Sequence, residues 1–142
     1  MSGQRDPYLN SRFRVEIDGL KGTGVLEVTF PEGRITTDGR TRAVQYGPLT
    51  LRRGMSGSSE WYQWWDRARA TTGGLKRNVT VVLMDQERAD VTRWTYAGAV
   101  PAAYGTSQLN ALRGEVLIET LELTIADFSI QFGPTRGASP SP

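Results

Sequence analysis

This 142-residue chain contains no cysteine and no histidine, two residue types that carry much of enzyme chemistry. Without cysteine there is no disulfide framework, no thiolate nucleophile and no thiolate metal ligand. Without histidine the chain lacks the usual general base near neutral pH and the commonest metal ligand. No nucleophile elbow, phosphate loop, dinucleotide fingerprint or calcium loop occurs either. A carboxylate pair or a lysine could still perform chemistry, but we expect no enzyme, no cofactor and no metal site.

Long apolar runs are also missing from the chain. No segment approaches the roughly 18 apolar residues that span a bilayer, and the opening MSGQRDPYLN lacks the apolar stretch of a secretory signal. Hydrophobic residues nevertheless make up 38% of the chain and charged residues 23%, which is a globular composition. We therefore expect one domain with its own core, without Sec export and without a membrane anchor.

Lysine is scarce, since only Lys21 and Lys76 occur among seventeen basic residues and the rest are arginines. Arginine is favoured at interfaces because its planar guanidinium binds carboxylates in a bidentate manner. A GC-rich genome explains the same bias equally well, and both interpretations stay open. Basic residues do not cluster beyond 52–53 and 76–77, so the charge pattern of a dedicated nucleic-acid binder is weak.

Polar and apolar residues alternate along much of the chain, which predicts a mainly β protein. The pattern predicts strands at 12–18, 25–30, 49–53, 78–85, 91–96, 115–125 and 127–132. Residues 98–104 are expected to extend a strand irregularly past Pro101. Six or seven strands with no strand–helix–strand repetition favour an antiparallel barrel or sandwich with one packed helix.

The strand predicted at 115–125 has one apolar and one polar face: Leu117, Leu121, Leu123 and Ile125 against Thr120, Glu122 and Thr124. Three carboxylates also lie in this region: Glu115, Glu119 and Glu122. Glu119 and Glu122 differ in parity and should point to opposite faces, which argues against a catalytic pair. We interpret these carboxylates as a solvated face or an inter-subunit salt bridge.

One amphipathic helix is predicted over 58–71. Ser58 or Ser59 can cap its start, Glu60 suits the helix dipole, and the glycines at 73–74 stop it. Trp61, Trp64, Trp65 and Ala68 recur at the spacing of one helical face. We interpret the three tryptophans as core packed against a sheet. The alternative is a monomeric β-barrel that binds single-stranded nucleic acid or carbohydrate through exposed tryptophan and arginine.

A polar segment at 32–46 predicts a protruding hairpin with little core of its own. The dipeptide Asp38-Gly39 between extended arms is a favoured tight turn. Such an arm either stays free or docks on a neighbour. Outside the expected domain at 11–132, residues 1–10 are interpreted as an N-terminal arm and 133–142 as a flexible tail rich in proline and serine.

Several segments, in order along the chain, resemble the tail tube protein family of contractile phage tails and contractile injection systems. The most specific are Leu49-Thr50-Leu51-Arg52-Arg53-Gly54 and the strand at 115–123. The remaining matching segments are 6–20, 60–65, 78–85, 91–94, 99–101 and 110–111. Together these segments cover most of residues 6–125.

The resemblance implies an inner tube subunit in a tail-tube-like, ring-forming fold. Members of this family form hexameric rings in which strands from every subunit join one barrel around a lumen. The rings stack inside a sheath, whose contraction drives the tube through a target envelope. The implied partners are further copies of the chain, the sheath protein, baseplate or initiator and terminator proteins, and a lumen cargo of effector protein or DNA. Assembly is expected in the cytoplasm, with the product a phage tail or a phage tail-like particle, and release from the cell stays open.

Two sets of residues follow from this resemblance as expectations. Stacking or subunit contacts are expected from the hairpin and the arm: Arg34, Thr36, Thr37, Asp38, Arg40, Arg42, Asp6 and Tyr8. The polar face of the strand at 115–125 is expected to line the water-filled lumen: Thr120, Glu122 and Thr124.

Overall fold

The computed structural model describes residues 12–21, 24–72 and 75–133. Within these ranges it contains nine strands and one helix: β1 (Phe13–Ile17), β2 (Val25–Thr29), β3 (Gly33–Asp38), β4 (Thr41–Tyr46), β5 (Leu49–Gly54), α1 (Glu60–Ala70), β6 (Arg77–Met84), β7 (Asp90–Thr106), β8 (Ile118–Thr124) and β9 (Asp127–Phe132). The expected arm at 1–10, with Asp6 and Tyr8, lies outside the described residues, as do the helix stop at 73–74 and residues 134–142 of the expected tail.

Two antiparallel sheets share the long strand β7, and a separate two-stranded hairpin is formed by β3 and β4. The first half of β7 pairs with β6 and β9, and β6 pairs with β1; we call these four strands sheet 1. The second half of β7 pairs with β8, which pairs with β5, which pairs with β2; we call these sheet 2. The expected mainly β, antiparallel fold with one helix is confirmed.

Strand β7 is continuous over 17 residues, whereas the sequence pattern predicts a strand at 91–96 with an irregular extension. Gly98 lies where the pairing of β7 with β6 shifts register, and it adopts a φ of +64°, which L side chains rarely adopt. A Cβ at Gly98 would also lie only 3.0 Å from the Cβ of Ala126. From Val100 onward the strand pairs with β8, with a second register shift between Pro101 and Ala103. One strand can therefore serve both sheets.

The hydrophobic core lies between the two sheets and under α1. The buried side chains from the strands are Val15, Ile17, Val79, Val81, Tyr96 and Ala99 from sheet 1 and Leu49, Leu51, Leu121 and Leu123 from sheet 2. Trp61 and Trp64 of α1 are buried, and Trp65 is half-buried against the same core. The Trp64 Nε1 donates to the backbone oxygen of Leu75 at 2.7 Å, so its burial leaves the indole N–H bonded.

Both ends of α1 differ from expectation in detail. Ser59 is the N-cap, but its side chain makes no capping bond and instead accepts a hydrogen bond from the Gln63 side chain at 2.8 Å. The helix ends at Ala70, followed by Thr71 in extended conformation. The Ser58 hydroxyl does accept a hydrogen bond from the Glu60 N–H, at 3.5 Å. The buried tryptophan face is the main source of stability for this helix.

The last long strand begins later than predicted, at Ile118 instead of 115. Residues before it form a turn, in which the side-chain oxygen of Asn110 accepts from the Leu112 N–H at 2.9 Å. Gly114 follows with a φ of +60°. The ladder to β5 also ends where Gly54 pairs with Ile118, so 115–117 lie beyond the paired part of the partner strand.

Replacing Trp61 with alanine tests the role of the helix. We expect Trp61→Ala to lower the free energy of unfolding by about 3–5 kcal/mol, because a fully buried indole leaves a large cavity. Tyr62→Ala on the exposed side of the same helix is the control and should cost about 1 kcal/mol, the value of its aromatic contacts. Urea unfolding followed by far-UV circular dichroism measures both. Equal losses would contradict the assignment of Trp61 to the core.

Candidate functional site: assembly surfaces

The two faces of sheet 2 have opposite character. Leu49 pairs with Leu123, and Leu51 pairs with Leu121, on the face that packs into the core. The alternate residues form a polar face, which we call the threonine face: Glu27, Thr29, Thr50, Arg52, Thr120, Glu122 and Thr124. The three residues expected to line a lumen, Thr120, Glu122 and Thr124, all lie on this face.

Arg52 joins the strands on the threonine face. Its guanidinium forms an ion pair with Glu27 at 3.2 Å and lies 3.4 Å from the hydroxyl oxygen of Thr29. Arg52 was not among the residues expected on this face. Its position in the strand, one residue out of phase with the core residues Leu49 and Leu51, is the sequence signal that places it there.

Glu119 and Arg53 form an ion pair on the core face of sheet 2. They lie directly opposite each other across β8 and β5, with 2.7 Å between Arg53 Nε and a Glu119 carboxylate oxygen. The Arg53 side chain is only 4% exposed and the Glu119 side chain only 1%. The guanidinium stacks 4.1 Å from the Trp61 ring, and the Tyr104 hydroxyl donates to the second Glu119 oxygen. Burial and this hydrogen bond raise the pKa of Tyr104 to about 12.

This pair corrects the interpretation of the carboxylates at 115–122. Glu119 is neither solvated nor at a subunit boundary, because antiparallel pairing with β5 places Arg53 against it inside one chain. Glu115 forms an exposed ion pair with Arg113 at 3.4 Å, also within the chain. Glu122 alone of the three lies on the threonine face, as the difference in parity from Glu119 predicts.

Sheet 2 has two open edges in the described part of the chain. Strand β2 pairs on one side with β5, and the second half of β7 pairs on one side with β8. A β-bulge in β2 makes Leu26 the additional residue between the paired Val25 and Glu27. Open edges expose backbone N–H and C=O groups that can bind a further strand.

The hairpin of β3 and β4 extends from the sheets and is held at its base. Tyr46 donates a hydrogen bond to Asp127 at 2.8 Å, and its ring lies edge-on to Phe128 at 5.4 Å. At the tip, Gly39 has a φ of +63°, which suits the first central position of a type II′ turn. Six of the eight residues expected to make stacking contacts lie on this hairpin, exposed except for the half-buried Thr36: Arg34, Thr36, Thr37, Asp38, Arg40 and Arg42. The other two, Asp6 and Tyr8, lie outside the described residues.

The hairpin is less polar than its composition indicates. Ile35 and Val44 are directly paired across its two strands, and both are exposed. The sequence pattern did not predict that Ile35 and Val44 are neighbours. Their pairing depends on the register of the hairpin, which the position of the turn determines. The hairpin therefore exposes an apolar pair as well as charged residues.

Neither a metal site nor a membrane span is found in the described ranges. Within 12–21, 24–72 and 75–133 no cluster of three or more carboxylates could hold a metal ion. In the same ranges no helix is long and apolar enough to cross a membrane.

The open edges, the threonine face and the protruding hairpin define an assembly subunit. The family model described as T4-like virus tail tube protein gp19 matches residues 9–129. The chain belongs to this tail tube family and is a structural subunit of the inner tube of a phage tail or a related contractile injection system. No curated protein matches the chain.

Solved structures of similar fold come from contractile particles and an Hcp protein. A chain of the sheath–tube complex of the extracellular contractile injection system PVC, in the extended state, superposes with a TM-score of 0.70 at 17% identity, over 89% of this chain and 92% of that one. A chain of the anti-feeding prophage baseplate gives 0.66 at 23%, over 91% and 98%. Hcp1 from Flavobacterium johnsoniae gives 0.65 at 16%, over 87% and 97%. At these identities the likeness concerns the fold.

Neutralising Glu119 tests the buried ion pair. Glu119→Gln keeps the shape of the side chain but leaves the Arg53 charge buried, so we expect a loss of about 3–5 kcal/mol in the free energy of unfolding. The double variant Arg53→Met/Glu119→Leu should lose less than this single change, because no unpaired charge remains. Glu115→Gln, in the exposed pair with Arg113, should change stability by at most about 1 kcal/mol. Urea unfolding separates the three variants, and a Glu119→Gln protein as stable as Glu115→Gln would refute the account.

Proposed function

We propose that the protein forms hexameric rings that stack into a hollow tube, which contraction of a surrounding sheath drives through a target envelope. The observation that carries this proposal is sheet 2, which has a dry face, a polar face and an open edge on each side. A sheet of this kind can be continued by a neighbour at both edges without exposing its core.

Ring closure follows from the strand directions. In the order β7, β8, β5, β2 every neighbouring pair is antiparallel, so β2 and the second half of β7 run in opposite directions. The β2 edge of one subunit can therefore pair antiparallel with the β7 edge of the next. The two edges are different surfaces, and such head-to-tail contacts close into rings when the rotation permits. Six subunits with four strands each would give one closed barrel.

The threonine face then lines the lumen. Thr120, Glu122 and Thr124 face water, and Arg52 is largely neutralised by its pairing with Glu27. Hydroxyl groups and a few paired charges give a wettable wall without strong binding to what passes along it. The proposal covers either a protein effector or DNA as cargo.

Stacking between rings is assigned to the hairpin, aided by the arm at 6–10 with Asp6 and Tyr8. Arg40 and Arg42 can pair with carboxylates of the adjacent ring, while the exposed Ile35 and Val44 add apolar contact. Arg34 already pairs with Glu32 at 2.6 Å, and this exposed pair can contribute to the same surface. Single exposed ion pairs are worth about 0–1 kcal/mol, so the stability of a tube comes from repetition over many subunits.

The proposed partners are the sheath, baseplate or initiator proteins and a tube terminator. The similar structures support this assignment, since they come from a sheath–tube complex, a baseplate and a tube-terminating cap. The proposal places assembly in the cytoplasm, with the subunit incorporated into a phage tail or a tail-like particle that can be released. It assigns the chain a purely structural role, without catalysis.

Shortening the hairpin tests the assignment of stacking. We expect deletion of residues 36–41 to leave rings but abolish tubes in negative-stain electron microscopy, because the removed residues lie outside the core. The melting temperature should stay within a few degrees of the parent protein. The double charge reversal Arg40→Glu/Arg42→Glu should weaken stacking in the same direction, whereas Arg67→Glu on α1 serves as a matched exposed control. A large fall in melting temperature on deletion would show instead that the hairpin belongs to the folded core.

A further inference from the structure

An apolar groove lies beside the open β2 edge. Its apolar lining consists of Phe13, Leu26, Val28, Phe30, Val81, Leu83 and Trp94, drawn from both sheets, and Glu27 is its one charged lining residue. Leu26 is 63% exposed and Phe30 44% exposed. Phe30 already contacts the Trp94 ring, with 4.7 Å between centroids, but its other side remains in water.

The bulge in β2 explains why Leu26 points into this groove. An additional residue in an edge strand redirects its side chain relative to regular alternation. Val28, two positions further, lies on the core side of sheet 2 and lines the same groove. A leucine exposed at an open edge lowers the solubility of a monomer. Edge strands more commonly carry charged residues, which prevent pairing with other chains. Its placement is consistent with a surface that is covered in an assembly.

An aromatic ledge lies beside the opposite edge of the same sheet. Tyr62 and Trp65 of α1 pack against Tyr104 of β7, with ring centroids 5.6 and 6.1 Å from the Tyr104 ring. Arg69 covers one side of Trp65 at 4.7 Å, while Tyr62 remains 42% exposed. Amphipathic aromatic residues of this kind are enriched at protein interfaces.

Groove and ledge lie on the same side of sheet 2, since Val28 and Tyr104 both belong to its core face. Pairing of β2 with the second half of β7 from another copy would form a contact between subunits that we call the seam. The groove and the ledge would then lie side by side across this seam. We propose that the aromatic ledge of one subunit packs into the β2 groove of the next, with Leu26 and Tyr62 at the centre of the contact. This inference rests on the proposed ring and names the side chains that hold it closed.

Among the exposed apolar groups of the chain, the ledge is the expected occupant of the groove, because it adjoins the β7 edge that would pair with β2. Ile35 and Val44 lie on the hairpin, whose strands pair with neither β2 nor β7, and Leu109 and Leu112 lie in the turn after β7. Tyr104 is instead part of the β7 edge strand itself. Strand pairing across the seam would therefore position the ledge without any rearrangement.

Complementation between two damaged subunits tests the contact. Leu26→Asp destroys the groove and leaves the ledge, while Tyr62→Asp destroys the ledge and leaves the groove. We expect each variant alone to be a folded monomer by circular dichroism and native mass spectrometry. Mixed together, they should form heterodimers through the one intact seam and stop there, since every further contact has a damaged side. Leu26→Ser, a milder change, should reduce ring formation without preventing folding.

Leu109→Asp is the matched control, because it adds the same charge at an exposed leucine that lies after β7, outside the groove, the ledge and the hairpin. It should still form rings. Rings from Tyr62→Asp alone would show that something other than the ledge occupies the groove, and rings from Leu26→Asp would show that the groove is unused. Either result overturns the inference while the tube function stands. An unmodified protein that forms no rings would instead refute the proposed function itself.

Discussion

The faces and edges of sheet 2 depend on the register between β5 and β8. The Arg53–Glu119 ion pair is the contact that tolerates a shift of this register least. Both charges are buried, so each is tolerated only when it lies opposite the other. A slip of β8 by one residue would turn Glu119, Leu121 and Leu123 toward water, bring Thr120, Glu122 and Thr124 into the core, and leave Arg53 buried without its partner. The same pair contacts Trp61 and Tyr104, which ties the helix and β7 to sheet 2. Buried ion pairs add little net stability, and here the pair is best understood as specifying one register.

With this register, sheet 2 has one core face and one polar face, while the outer sides of β2 and of the second half of β7 have no paired strand in the described part of the chain. Most monomeric β proteins protect their edge strands with charges, prolines or covering loops. This chain presents a leucine at β2 and aromatic rings beside β7, so the usual protection is replaced by groups that gain free energy when covered. In the proposed ring, the features that would cause aggregation in a monomer become intersubunit contacts.

Local pattern predicted much of the fold. Alternation located most strands, the tryptophan spacing located the helix, and Asp38-Gly39 located the turn of the hairpin. What was missed depends on contacts distant in sequence: the extension past Pro101 was expected, but not that it pairs with β8 in a second sheet, and Glu119 is buried because Arg53 lies opposite it. Polarity indicated the threonine face and the hairpin, whereas their roles in assembly were expected from the family resemblance. The groove was not foreseen, since the bulge at Leu26 exists only relative to the pairing of β2 with β5.

Cryo-electron microscopy of the assembled protein, at a resolution that traces individual strands, tests the central claim most directly. The account predicts that β2 of each subunit lies beside the second half of β7 of the next, with Thr120, Glu122 and Thr124 facing the lumen. It would be contradicted by an assembly in which the β2 edge stays unpaired, or in which the threonine face points away from the central channel.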